Sequence, residues 1–185
     1  PGEPFSFWAV VGAPTARRGY QDGLVIANGD LRRGVGGGLC QLANLIHYLV
    51  LHTPMEVVEL HHHSDALFPA DRRRVPFGTG TSIFYPHVAY RFCNTTAQPV
   101  QLRLWISEGD LCGELRSERL FPCRYRLVEE DSHFVKEGEA YYRVSQVYRR
   151  IIDRECGRDL GRELLLSNHS RVLYDPALIP PDQLR

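Results

Sequence analysis

Three consecutive glycines, Gly36-Gly37-Gly38, run directly into Leu39-Cys40-Gln41 and an apolar-patterned segment reaching about His52. Leu42, Leu45, Ile46, Leu49 and Val50 fall on one stripe at helical spacing, which predicts an amphipathic helix stopped by Thr53-Pro54. Glycine loses more backbone freedom on folding than any other residue, so such a run needs a conformational reason. It suits a turn with positive φ, or a backbone lying against a ligand. A thiol at the start of the helix sits among N–H groups without intrahelical acceptors, at the positive end of the macrodipole. That position lowers a thiol pKa and puts donors where an oxyanion would form. Cys40 is therefore the candidate nucleophile, with Gln41 as a neighbouring donor and Gly36, Gly37 and Gly38 as substrate-facing backbone. The bland alternative is a buried cysteine acting as a small hydrophobe.

The rest of the chain reads largely as β. Leu24 to Ala27 is a short buried strand, Asn28-Gly29-Asp30 is a strong turn signal, and Asp30 to Gly38 is a loop entering the helix. After the helix, Glu56 to His63 reads as a strand, and Pro69 to Gly80 as a loop rich in proline, glycine and arginine. Strands follow at Ser82–Tyr85, Val88–Phe92, Val100–Ile106 and Leu111–Leu115, with turns at Asn94-Thr95-Thr96 and Glu108-Gly109-Asp110. Further strands are expected at Tyr125–Val128, Tyr141–Val147 and Tyr148–Ile152, with a hairpin tip at Cys156-Gly157-Arg158-Asp159. Ile151 to Leu166 reads alternatively as a polar helix. The expected class is α+β: one early helix carrying the cysteine, packed on a largely antiparallel β-sheet, with a β-rich C-terminal extension. The division expected is a core over 1–107 and the extension over 108–185, continuous with the same domain or separate from it.

His61, His62, His63 and Ser64 close the strand after the helix. Side chains alternate along a strand, so His61 and His63 share one face. A cysteine nucleophile needs an imidazole within hydrogen-bond reach and a third group to orient it. His63 or His61 is the candidate base, with Glu59 or Asp65 as orienter. His47 shares a helix face with Cys40 and Asn44, but about 10 Å of helix axis separates it from the sulfur, so it reads as a core or half-buried histidine.

Charge narrows the partners. Lysine plus arginine and aspartate plus glutamate both number 22, and with no basic stripe the chain offers nothing to a nucleic-acid backbone. Five cysteines without C-x-x-C spacing exclude the usual structural zinc site and leave at least one thiol free in any intramolecular pairing. Two histidines on one strand face give two of the roughly three protein ligands a catalytic zinc needs, so neither a metal nor another cofactor is expected. No stretch reaches the length of a membrane span and no export signal is visible.

Several of these stretches together resemble the VanW family, found with vancomycin-resistance clusters and in bacterial cell-envelope proteins. The resemblance is carried by Pro1 to Phe7, Val11-Gly12, Arg18-Gly19-Tyr20, Gly36 to Gln41, His63-Ser64 and Pro76-Phe77-Gly78-Thr79-Gly80-Thr81-Ser82-Ile83. It extends from Pro1 to about Ile106. The triple histidine, the run from Pro76 to Thr81, and Leu111-Cys112-Gly113-Glu114-Leu115 are similar to the resistance-cluster branch. In the broader family the cysteine of the glycine motif is implicated as the nucleophile of L,D-transpeptidases acting on peptidoglycan stem peptides. The resemblance therefore implies that role for Cys40 and makes His63 the histidine of the His-Ser pair. It also implies a substrate surface including Asn44, Ser64, Gly78, Thr79 and Thr81, and a place in the cell envelope. One position departs: many relatives carry aspartate where this chain has Gly80. The expected partner is a stem peptide or its precursor. The rival expectation is a module that binds the same material without covalent chemistry, and a third is a metal-dependent hydrolase built on the histidines.

Overall fold

A computed structural model describes residues 1–27, 30–62, 65–69 and 75–185, without the side chains of 26, 27, 30 and 31. In chain order the elements are β1 (Pro4–Ser6), α1 (Phe7–Val11), β2 (Asp22–Ala27), β3 (Asp30–Val35), α2 (Leu39–Leu51) and β4 (Glu56–Glu59). They continue with β5 (Asp65–Ala66), β6 (Arg91–Cys93), β7 (Val100–Ser107), β8 (Asp110–Ser117), β9 (Cys123–Glu137), β10 (Ala140–Asp153) and β11 (Asp159–Val172). The protein is mostly β, with antiparallel pairing in nearly every sheet and α1 and α2 as its α-helices among the described residues. The chain divides into two compact units, Pro1–His61 with Gly80–Phe121, and His62–Thr79 with Pro122–Arg185.

The first unit is built on α2. Ala43, Ile46, His47, Val50 and Leu51 are its buried residues, and Ala43, Ile46 and Val50 share a core with Phe7, Met55, Ile83, Tyr90 and Phe92. A second face, Leu45 and Leu49, meets β8 at Gly113, where an added Cβ would lie 3.1 Å from each leucine. Glycine there lets helix and strand close up. The buried His47 ring is not an orphan: its Nδ1 lies 3.1 Å from the Tyr90 hydroxyl, and burial pushes the Tyr90 phenol far up, which keeps that hydroxyl protonated. Thr53 closes the helix by donating to the Val50 carbonyl at 2.6 Å.

The sheets of this unit are small. β6 lies between β1 and β4, while β2–β3 and β7–β8 are separate hairpins. In β7–β8 the expected Glu108-Gly109 turn is present, with φ of 52° and 88° at the two central residues, as a type I′ hairpin requires. Elsewhere the outcome differs from the expectation. Asp30 to Val35 is a strand, with Ala27 paired to Asp30 across Asn28-Gly29, two residues that lie outside those described. Leu24 is 59% exposed, because a two-stranded ribbon has no third layer to bury it. Of the strand expected through His63, the described part stops at Glu59, since its partner β6 begins at Arg91, opposite Glu59, and no described residue continues that ladder. Phe84 and Val88 form only an isolated bridge, leaving β6 as the short remnant of the strand expected over Val88–Phe92.

The second unit is a four-stranded sheet in the order β5-β11-β10-β9, antiparallel except where β5 pairs parallel to the end of β11. Ile151 to Leu166 is strand, turn and strand, not helix: Asp153 and Asp159 flank the Cys156-Gly157 tip. Cross-strand pairs Arg150–Asp159 and Arg162–Glu130 line the ribbon. A small core of Ala66, Phe77, Phe134, Val172 and Ile179 sits at one end.

Candidate functional site

The glycine run is folded against the start of β2. Gly36 and Gly38 take φ of 90° and 89°, which a side chain strongly disfavours. Gly37 is small for another reason: a Cβ there would lie 2.2 Å from the Gly23 Cα, so two backbones touch. Gly36 N–H donates to the Gln21 carbonyl at 3.0 Å and Gly38 N–H to that of Leu24 at 3.4 Å. The sequence pattern suits a positive-φ turn or a backbone lying against a ligand; at Gly37 the close neighbour is the chain's own backbone at Gly23.

Gly38 is the N-cap of α2 and has no side chain with which to cap it, and Cys40 is the second residue of the helix. The thiol is half-buried, with Sγ 3.8 Å from the Ile83 carbonyl oxygen, a weak S–H···O contact. Burial pushes the Cys40 thiol up from its ordinary value, and the Ile83 contact only partly opposes this. This reverses the expected lowering. Desolvation of the charged form is the larger effect.

A groove of about 350 Å³ opens beside the sulfur. Trp8, Pro14, Val25, Phe84 and Tyr85 are among its walls, together with Gly36 and Cys40 itself. Trp8 is fixed by its Nε1–H, which donates to the Val88 carbonyl at 2.8 Å, and it meets the Tyr85 ring edge to face. None of these aromatic wall residues carried a signal in the sequence beyond hydrophobicity.

The other expected site residues are placed as follows. Gln41 is exposed on α2. Asn44 Oδ1 accepts the Thr81 N–H at 2.7 Å, pinning the segment that leads to Ile83. Thr81 is fully buried, with its hydroxyl 3.4 Å from the Ser82 carbonyl oxygen. A Cβ at Gly80 would lie 3.0 Å from Asn44 Oδ1. His61 is half-exposed; its Nε2 lies 3.1 Å from Glu59 Oε1, and its carbonyl accepts the Ser82 N–H. Glu59 thus orients His61, and also accepts the Ala89 N–H and pairs with Arg91. The Glu59 carboxyl is held below the usual range, chiefly by the His61 hydrogen bond. His61 and Cys40 therefore approach the same strip of chain, His61 at Ser82 and the sulfur at Ile83, without bonding each other.

His63 and Ser64 lie outside the described residues. In the second unit, Phe77 has both backbone groups held by side chains: its N–H donates to Glu129 at 3.1 Å and its carbonyl accepts from Asn168 at 2.9 Å. Gly78 follows with φ of 79°, and Thr79, nearly buried, donates its hydroxyl to the Pro76 carbonyl. Among the described residues no group of three histidine, cysteine or acidic side chains could hold a metal ion. No described helix is long and apolar enough to cross a membrane.

Comparison with known proteins places this geometry. Residues 1–116 match the family model described as "VanW like protein". The chain is 27% identical over 174 residues to the Vancomycin B-type resistance protein VanW of Enterococcus faecalis, covering 94% of this chain and 63% of that protein. It is 30% identical over 128 residues to the uncharacterized protein YoaR of Bacillus subtilis, covering 69% of this chain and 41% of that one. The chain thus spans less than two thirds of either relative. No solved structure is significantly similar to it.

Proposed function

Because this chain belongs to the VanW-like protein family, we propose that Cys40 is the nucleophile of an acyl transfer on peptidoglycan stem peptides. The observation that carries the reading is the sulfur's position in the first turn of an uncapped helix, at the wall of an open groove. In the proposed reaction the Cys40 proton passes to an imidazole, and sulfur attacks the carbonyl carbon of a stem-peptide bond. The N–H groups of the first helical turn, with the Gln41 amide, take the negative charge on the tetrahedral oxygen. The C–N bond then breaks, the leaving amine takes the proton back from the imidazolium, and a thioester remains. An amine from a neighbouring stem resolves it into a cross-link, or water resolves it into a shortened stem.

The base in this scheme is His63, the histidine of the family's His-Ser pair, or His61, which Glu59 already orients. A raised thiol pKa makes that base necessary: sulfur is protonated at rest and is activated in the step that uses it. Residence in the cell envelope and a contribution to glycopeptide resistance belong to the same proposal, the second because a relative is named for vancomycin resistance. The experiment is incubation of purified protein with defined muropeptides, followed by mass spectrometry. The wild type is expected to release a terminal amino acid or form dimers, and Cys40→Ala to form neither. Unchanged product from Cys40→Ala ends the proposal.

One observation favours a second reading, a binding module without covalent chemistry. Among the described residues the Cys40 thiol has only the Ile83 carbonyl as a hydrogen-bond partner, and burial keeps it neutral. On that reading Cys40→Ala binds muropeptides as the wild type does, and neither makes product.

A further inference from the structure

Asn44 stands inside α2, where asparagine is a poor helix former because its side chain competes for backbone hydrogen bonds. Here the carboxamide serves a segment 37 residues away: Oδ1 accepts the Thr81 N–H at 2.7 Å. A Cβ at Gly80 would meet Oδ1 at 3.0 Å and Nδ2 at 3.3 Å, so the whole amide lies against the main chain of residue 80. The two residues after Thr81 are held as well. Ser82 N–H donates to the His61 carbonyl, and the Ile83 carbonyl oxygen lies 3.8 Å from Cys40 Sγ. Ile83 is 6% exposed and shares a core with Ala43 and Ile46 of α2. Three consecutive residues thus tie the helix, the sulfur and His61 to one strip of chain. Asn44 sits one helical turn beyond Cys40, on the same side of the helix, and sets where along α2 that strip lies. It does not line the groove beside the sulfur.

We propose that Asn44 is the positioning residue of this site: by holding Thr81 it fixes the Ile83 carbonyl against the Cys40 thiol and His61 along the same strip, and so sets the sulfur–imidazole geometry that proton transfer requires. The inference rests on the acyl-transfer reading above, with His61 as the base, and adds the group that aligns the pair. Extended chain advances about 3.3 Å per residue, so a slip of one residue takes the Ile83 carbonyl away from the sulfur. Much less than that matters: where reacting atoms must meet at about 3–3.5 Å, a misplacement of about 1 Å costs about a hundredfold in rate. The strip also covers the thiol. Burial is what pushes Cys40 up, so loosening the strip opens the sulfur to a small reagent while turnover falls.

The test uses the whole chain, a defined muropeptide with mass-spectrometric product detection, and iodoacetamide labelling of Cys40 scored against the exposed Cys156. Readings are taken well below each variant's melting temperature. Asn44→Ala is expected to lower kcat about tenfold or more with KM within about twofold, since the alignment of the reacting groups is disturbed and the groove is not. It should also raise the Cys40-to-Cys156 labelling ratio about threefold and quicken hydrogen exchange at the Thr81 amide. Asn44→Asp keeps an acceptor oxygen for that amide and is expected to recover most of all three readouts. If Asn44→Ala does not fold, Gly80→Ala, whose Cβ crowds the carboxamide, is expected to show the same changes. Wild-type kcat in the alanine variant, or a loss that Asn44→Asp does not recover, overturns the positioning role and leaves acyl transfer standing. A wild type that forms no product ends the acyl-transfer reading, and an unchanged labelling ratio in Asn44→Ala then overturns the hold on the sulfur as well.

Discussion

Gly23 and Gly37 touch backbone to backbone: a Cβ added to Gly37 would sit 2.2 Å from the Gly23 Cα, and one added to Gly23 would sit 2.9 Å from the Gly37 Cα. The contact seats the β2–β3 hairpin on the loop that delivers Cys40. Gly37→Ala must push two main chains apart, and overpacking of this kind costs about 1–3 kcal/mol. Denaturant unfolding should show that loss, and Gly23→Ala should lose stability in the same direction. Because the displaced chain also walls the groove, Gly37→Ala should alter the alkylation rate of Cys40 as well.

Asn168 does for Phe77 and Gly78 what Gly23 does for Gly37. Its buried amide donates to the Phe77 carbonyl and to Ser145 Oγ, and its side chain fills the space a Cβ at Gly78 would need. Asn168→Ala strands a buried carbonyl, a loss of about 1–3 kcal/mol. Asn168→Asp should be at least as damaging, since a carboxylate cannot donate to that carbonyl. Hydrogen exchange at residues 75–79 should quicken in both variants.

The Cys40 thiol, pushed up by burial, should be alkylated by iodoacetamide with a half-maximal rate at a pH above ~8.5, where an ordinary thiol is half ionised. Cys156 supplies the exposed comparison. The same shift links to folding. The raised pKa contributes stability that is fully present below the unfolded thiol's value and is lost as pH rises through the folded one. Cys40→Ala should therefore flatten the alkaline limb of a stability–pH curve.

Glu59 acts in the opposite sense. Its carboxyl is held down mainly by His61, so its stabilisation is present above the unfolded carboxylate pKa and is lost as pH falls through the folded value. Melting temperatures from pH 6 to 3 should fall more steeply for the wild type than for Glu59→Gln. The variant should also release His61, visible as a change in its imidazole resonances.

How much of this was legible depended on where the information sits. The helix stop at Thr53-Pro54 and the Glu108-Gly109 turn are local, and short patterns disclosed them. The strand Asp30–Val35 was missed because Asp-Leu-Arg-Arg-Gly-Val shows no alternation; its partner β2 determines it, and the Asn28-Gly29 signal for a hairpin applied to both flanks. The histidine strand failed for the converse reason: β6 ends its pairing with β4 at Arg91 opposite Glu59, so the described residues just beyond Glu59 lose that ladder. At the site, the glycine run announced unusual backbone but not its cause. Trp8, Ile83 and Tyr85 came to Cys40 through tertiary packing from segments 32 to 45 residues away, which no periodicity encodes.

Ala66 and Phe77 belong to a core whose other members, Phe134, Val172 and Ile179, come much later in the chain. The family match ends at residue 116, before any of those three. Expressing the matched region alone would therefore strip two buried side chains of their cover and leave the Phe77 main chain without its Glu129 and Asn168 tethers. Boundaries drawn from homology would cut through a folding unit, and a soluble fragment of this protein has to keep the late ribbon that completes it.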